Sequence, residues 1–134
     1  MSFSNATETT IAAKLFTATA ISWDSATELD IHLHTADPGE GGNSSTSEAT
    51  YTSYAPVTVN RSTADWTVSG NTTTNDNLIQ FPQCTGSTNT ITHVSITPEG
   101  STEIIVSGAL SASLSVSNGI QPQFSSSSLS IVLD

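Results

Sequence analysis

Positive charge is nearly missing from this chain. Lys14 and Arg61 are its only basic side chains against 12 acidic ones, a formal charge of −10 over 134 residues. Binding nucleic acid through its phosphates needs a cluster of cations, so no DNA or RNA partner is expected. Cysteine is as scarce: Cys84 stands alone. It cannot form an internal disulfide, so the chain needs no oxidising compartment. No apolar run approaches the roughly 20 residues of a bilayer-spanning helix, and no membrane partner is expected. Met1 to Asn5 lack the basic flank and apolar stretch of a secretory signal. A Gly-rich phosphate loop and a Gly-x-Ser-x-Gly nucleophile elbow are both missing. No cofactor is therefore expected, and the chain reads as a non-enzyme.

What replaces ionic side chains is hydroxyl. The chain has 23 Ser and 22 Thr, so its polar surface is built from groups that most proteins supplement with ion pairs. Hydroxyl-rich segments with few apolar residues stay disordered, but here apolar residues recur with period two. That pattern, together with the strand preference of Thr, predicts folding into β-structure. The whole chain, 1–134, is expected to be one domain of the size that supports a single core.

Residues 1–22 are expected to form a helical arm. Asn5 and Glu8 have capping-box spacing, and Ile11, Ala12, Leu15, Phe16 and Thr19 would share a stripe. Beyond Trp23 the pattern becomes that of strands. Leu29, Ile31 and Leu33 alternate with Asp30, His32 and His34, which predicts a half-buried strand ending at Asp37-Pro38-Gly39. Tyr51 to Arg61 reads as extended. Trp66 and Val68 form an arm linked through Gly70-Asn71 to Thr72–Thr74. Leu78, Ile79 and Phe81 form an apolar run, and Thr92, Val94 and Ile96 an alternating one. From Ile104 to Val116 the even positions stay apolar or small, too long for one ordinary strand, so a bend or bulge near Gly108 is expected to split it. Asn118-Gly119 is the strongest hairpin signal, Pro122 marks an edge or bulge, and Leu129, Ile131 and Leu133 form the last strand. About eight or nine short strands between turn signals predict a mainly β fold, an antiparallel sandwich or barrel of Greek-key or jelly-roll type, with a short N-terminal helix.

Several residues carry chemistry in principle. His32 and His34 project from one face of their strand beside Asp30, a spacing suited to two imidazole ligands, and His93 would complete a metal site if its strand lay near. A solvated or interfacial strand face explains the same residues, and no metal is assigned. Asp37, Glu40 and Asn43 supply the oxygen ligands calcium prefers, but their order is not that of an EF-hand, and Asp before Pro-Gly is common in turns. Tyr51, Tyr54 and Trp66 would stack on sugars if exposed, although packing in the core or at an interface is the commoner use of such rings. Ile11, Leu15, Phe16, Tyr51, Tyr54 and Trp66 are the interface candidates. Cys84 reads as a small buried residue.

The run from Ile31 to Glu40 (Ile-His-Leu-His-Thr-Ala-Asp-Pro-Gly-Glu) resembles a family of small tailed-bacteriophage proteins labelled tail fibre, minor capsid or head decoration proteins. Family-like motifs continue in order through Thr46–Tyr51, Tyr54-Ala55, Trp66-Thr67-Val68, Ile79–Pro82, Thr92-His93, Ser107–Leu110 and Leu129–Leu133. They are turn and core signatures without catalytic content. Pro56 replaces an arginine common in relatives, and His32 a position usually hydrophobic or small.

The resemblance implies a virion component assembled in the host cytoplasm. The expected role is a capsid decoration or cement protein on the outer surface, bound as a homotrimer to the major capsid protein. Its acidity suits a place away from packaged DNA. The alternative is a tail fibre or baseplate accessory module, with or without a carbohydrate-binding tip.

Overall fold

The computed structural model describes residues 1–133. Along the chain run β1 (Ser2–Phe3), α1 (Asn5–Thr17), β2 (Glu28–His34), β3 (Val57–Asn60), β4 (Trp66–Ser69), β5 (Thr72–Asn75), β6 (Ile79–Gln80), β7 (Asn89–Pro98), β8 (Val106–Val116), β9 (Gln123–Phe124) and β10 (Ser130–Val132). The fold is mainly β with antiparallel sheets and one short N-terminal helix. A five-stranded sheet has the order β1-β8-β7-β2-β3, a three-stranded sheet the order β10-β5-β4, and β6 pairs with β9.

Period-two alternation sets the layers. In the large sheet Ile31 lies opposite Ile96 and Val57, Leu33 opposite Val94, and Ile96 opposite Val106. These residues share one face, because directly paired strand residues point the same way. That face meets Trp66 and Ile131 of the three-stranded sheet and Ile79, Phe81 and Leu129 in a single apolar cluster. Each fully buried Ile, Leu or Val there contributes about 1.5–3 kcal/mol.

The opposite face is not the solvated one expected from the alternation. His32, His34, Ser95, Thr97 and Ser107 are all buried. The segment Pro38–Ala49 and the start of α1 lie over this part of the molecule, joined to it by Asn5 N–H to Glu40 O (3.0 Å), Ser44 N–H to Thr102 O (3.0 Å) and Ala49 N–H to Leu33 O (2.8 Å). β2 is therefore buried on both faces from Ile31 to His34.

Local details differ from the sequence pattern for identifiable reasons. The helix cap is Ser4, one residue before the expected Asn5: its backbone is extended and its Oγ accepts from Thr7 N–H. The same hydroxyl donates to Ile104 O, so a tertiary contact selects the cap. α1 ends at Ala18 in the left-handed region (φ 55°), ahead of Thr19. Gly70-Asn71 does link β4 to β5, with Ser69 opposite Thr72. The 104–116 stretch is not split at Gly108; β8 runs unbroken from Val106. The expected bulge is nevertheless present beside Gly108, since Ile91 to His93 on β7 faces the longer span Leu114 to Ala109 on β8. Gly108 instead permits close approach, since a Cβ there would lie 2.6 Å from Met1 Cγ and 2.9 Å from Met1 Cα. Asn118-Gly119 forms a turn, with Ile120 N–H donating to Ser117 O, but no hairpin follows. The chain leaves β8 because β9 pairs with β6. Extended pairing in the Tyr51–Arg61 stretch is confined to β3.

Candidate functional site

His32 and His34 lie where β2 and β7 place them, two residues apart on the polar face. His34 is 0% exposed. Its Nδ1 lies 2.8 Å from Thr46 O and its Nε2 2.7 Å from Ser95 Oγ. A carbonyl only accepts, so Nδ1 carries the proton and Nε2 accepts from the serine hydroxyl. Burial lowers the His34 pKa below its usual value, against a smaller opposing effect of the Thr46 carbonyl. His32 Nδ1 donates to Glu48 Oε1 at 2.7 Å, and Nε2 sits 3.2 Å from Thr97 Oγ1. His93 is brought directly opposite His34, as a joint site would need, but its Nδ1 is 2.8 Å from Thr92 Oγ1. Among the described residues no group of three or more His, Cys, Asp or Glu is placed to hold a metal ion. Both nitrogens of His32 and His34 are occupied in fastening the 46–48 segment to the sheet. Their chemistry here is structural.

The 37–43 oxygens likewise serve their own loop. Asp37 Oδ1 accepts from Gly39 N–H (2.8 Å) and Asn43 Oδ1 from Ser45 N–H (2.9 Å), while Glu40 is exposed. These are side-chain turns of the kind Asp and Asn make before glycine or serine. Cys84 is buried, with Sγ donating to Gly86 O.

Tyr51 and Trp66 are buried and Tyr54 is partly buried against the core, so the three do not form an exposed sugar platform. Tyr51 is 2% exposed and its hydroxyl donates to Pro82 O at 2.9 Å. Burial pushes its pKa up to about 12. Tyr54 stacks on Phe81 (ring centroids 6.5 Å apart), and Tyr51 meets Tyr54 edge-on at 5.3 Å. The Tyr54 hydroxyl accepts from Leu33 N–H (3.0 Å) and donates to Glu48 Oε1 (3.1 Å). Burial, ahead of every other cause, raises its pKa. Trp66 is buried with its indole N–H on Asn60 O (3.0 Å). Core packing, the commoner use expected for such rings, is what Tyr51 and Trp66 do. Glu48, which joins His32 to Tyr54, was missed, as its alternation with Thr46 and Thr50 carries no apolar signal.

Among the described residues, two apolar features stand open to a partner beside scattered residues such as Val68. Leu15 and Phe16 on α1 are 71% and 86% exposed, and Ile11 is partly exposed. The helix buries only Thr7. Second, a cleft of about 410 Å³ opens between the large and three-stranded sheets, lined by apolar residues including Phe3, Leu29, Trp66, Ile96, Ile131 and Leu133. Arg61 stands on its lip and donates through Nη1 to the carbonyls of Trp23, Asp24 and Ala26. This arrangement offers apolar contact area and no reacting group.

Comparison with known families agrees with a non-catalytic reading. A family model described as podophage GP4 fiber I protein gp80 matches residues 2–132. No curated protein matches the chain.

Proposed function

The chain belongs to the podophage GP4 fiber I protein gp80 family, a family of phage virion structural proteins related to the tail fibre, and from that premise we propose that it is a module of the fibre itself, held to copies of itself by apolar contact. The observation that carries this reading is the family match across residues 2–132. It favours the tail-fibre alternative over capsid decoration, the role expected from the sequence, because the family's description is of a fibre protein. The family implies a structural role, in keeping with imidazoles and carboxylates committed to internal hydrogen bonds.

Self-association is the second part of the proposal. An isolated helix of about 12–15 residues is marginal in water, and α1 is a Thr-containing helix with little of its surface buried. Its exposed Leu15 and Phe16 and partly exposed Ile11 gain stability once covered. A homotrimer is the assembly we favour. Sugar binding through Tyr51, Tyr54 and Trp66 is not part of the proposal, since those rings are packed inside.

Labelling the chain in purified particles and imaging them by electron microscopy tests the placement. A few copies confined to the tail are expected. Many copies spread over the shell would return the protein to the decoration role.

A further inference from the structure

We propose that the apolar cleft between the two sheets receives Leu15 and Phe16 from the helix of a neighbouring copy, so that subunits join head to tail. The inference rests on the self-association part of the proposed function and not on placement in the tail. Three observations point to a second copy as the occupant.

The first is reach. Phe3 lines the cleft and Ser4 caps the helix, so Phe16 stands about 18 Å along the axis from Ser4 at 1.5 Å per residue. The start of the helix is pinned by Ser4 N–H to Ile105 O and Asn5 N–H to Glu40 O. A subunit therefore cannot fill its own cleft with its own Leu15-Phe16 pair while this helix is intact.

The second is charge. Residues 1–23 contain one acid and one base, Glu8 and Lys14, so the other acids leave the rest of the chain at −10. No charged residue occurs between Glu103 and Asp134, and that neutral stretch supplies Ile105, Val106, Ile131 and Leu133 to the cleft wall. The only charged lining residue is Arg61. Helix and cleft are thus surfaces poor in acids, and Lys14, beside Leu15, carries a positive charge toward the strongly acidic rest of a second copy. Arg61 is itself paired with Asp24 (3.7 Å), which offsets its charge at the cleft.

The third is chemistry and size. The cleft falls within the roughly 300–1,000 Å³ of pockets that hold small ligands, and its lining is apolar. Leu15 and Phe16 are the two most exposed large hydrophobics at consecutive positions of a regular element. A contact of unlike surfaces leaves each subunit with one used helix and one used cleft, so a ring of copies closes when the rotation allows.

Sedimentation of the full chain over a concentration series tests this, with Phe16→Ser removing the helix anchor and Thr63→Trp blocking the exposed cleft lip. Circular dichroism and melting temperature report that each variant folds. Burying a phenyl ring of this exposure should matter by about tenfold or more in association. Each variant alone should therefore lose self-association by at least that factor, and an equimolar mixture should recover pairs, because the intact helix of one meets the intact cleft of the other. Wild-type protein that stays monomeric would overturn both this inference and the self-association it rests on. An oligomer indifferent to either substitution, or variants whose mixture recovers nothing, would overturn the cleft contact and leave self-association standing.

Discussion

Removing one oxygen from Tyr54 tests how the polar face is held. β3 pairs with β2 only from Glu28 to Ile31, so beyond that point the ladder on this edge is continued by other groups. Ala49 N–H bonds Leu33 O at 2.8 Å and Leu33 N–H bonds the Tyr54 hydroxyl at 3.0 Å. Leu33 is 2% exposed. In Tyr54→Phe the ring still stacks on Phe81, so little apolar burial changes. Leu33 N–H is left buried without an acceptor, and such a loss costs about 1–3 kcal/mol. Glu48 loses one donor but keeps His32. Urea unfolding should show a lower midpoint at unchanged slope, and melting should fall by roughly 4 °C for each kcal/mol in a chain of this size. Tyr51→Phe is the internal control: its hydroxyl donates to Pro82 O, and removing a donor from a carbonyl with a second lone pair should cost less. Tyr54→Phe within about 0.3 kcal/mol of wild type would show that Leu33 N–H finds another partner, and would refute the argument.

Acid should loosen the same layer. Burial holds the His34 pKa below its unfolded value near 6.5, so the folded state binds fewer protons, and stability present above about pH 6.5 is lost as pH falls toward the folded pKa. Urea midpoints between pH 7.5 and 5 should fall, and the fall should be shallower in His34→Gln. Gly108→Val should push Met1 off β8, since even a Cβ would stand 2.6 Å from Met1 Cγ; hydrogen exchange at Phe3 should quicken while the core amides of β7 stay protected. Ser4→Ala should cost about 1 kcal/mol through the lost cap, read as fraying of α1 by amide exchange at Thr7 and Glu8.

Much of the apolar architecture was legible. That Ile31, Leu33, Val94 and Ile96 face the core follows from alternation, and the link at Gly70-Asn71 from its turn chemistry. What could not be read was decided by contacts distant in sequence. Asn118-Gly119 has hairpin chemistry, but whether a turn becomes a hairpin depends on what the next strand finds, and β9 finds β6. Gly108 marks a nearby bulge in sequence, but its close approach to Met1, more than a hundred residues away, has no local signal. His32 and His34 look solvent-facing because polar alternation normally marks an exposed face. Burial came from the Pro38–Ala49 segment, whose glycines and hydroxyls give no periodic signal. The exposure of Leu15 and Phe16 was anticipated in kind, whereas the cleft, assembled from β1, β2, β4, β5, β7, β8 and β10 with intervening loops, has no local signature.

A fully apolar layer in place of the buried hydroxyls and imidazoles would be at least as stable by the usual accounting, since paired polar groups gain little net on burial. Their placement suggests what they contribute instead. A one-residue slip between β2 and β7 is opposed by the apolar face, because it would turn Ile31 and Leu33 away from the core. A two-residue slip is not, because Ile31, Leu33, Val94 and Ile96 repeat with that period. The polar face resolves the ambiguity. His34 reaches Ser95 and not its direct partner His93, and His32 reaches Thr97 and not its direct partner Ser95. Both bonds run diagonally in the same sense, and each imidazole's other nitrogen is tied to the 46–48 segment. Sliding β7 by two residues one way would put His93 where Ser95 donates to His34, and the other way Glu99 where Thr97 meets His32, so in either case one buried nitrogen loses its hydroxyl. The discrimination also fixes the shape of the cleft: β2 and β7 both line it, through Leu29 and Ile96, and a slipped register would move one wall against the other.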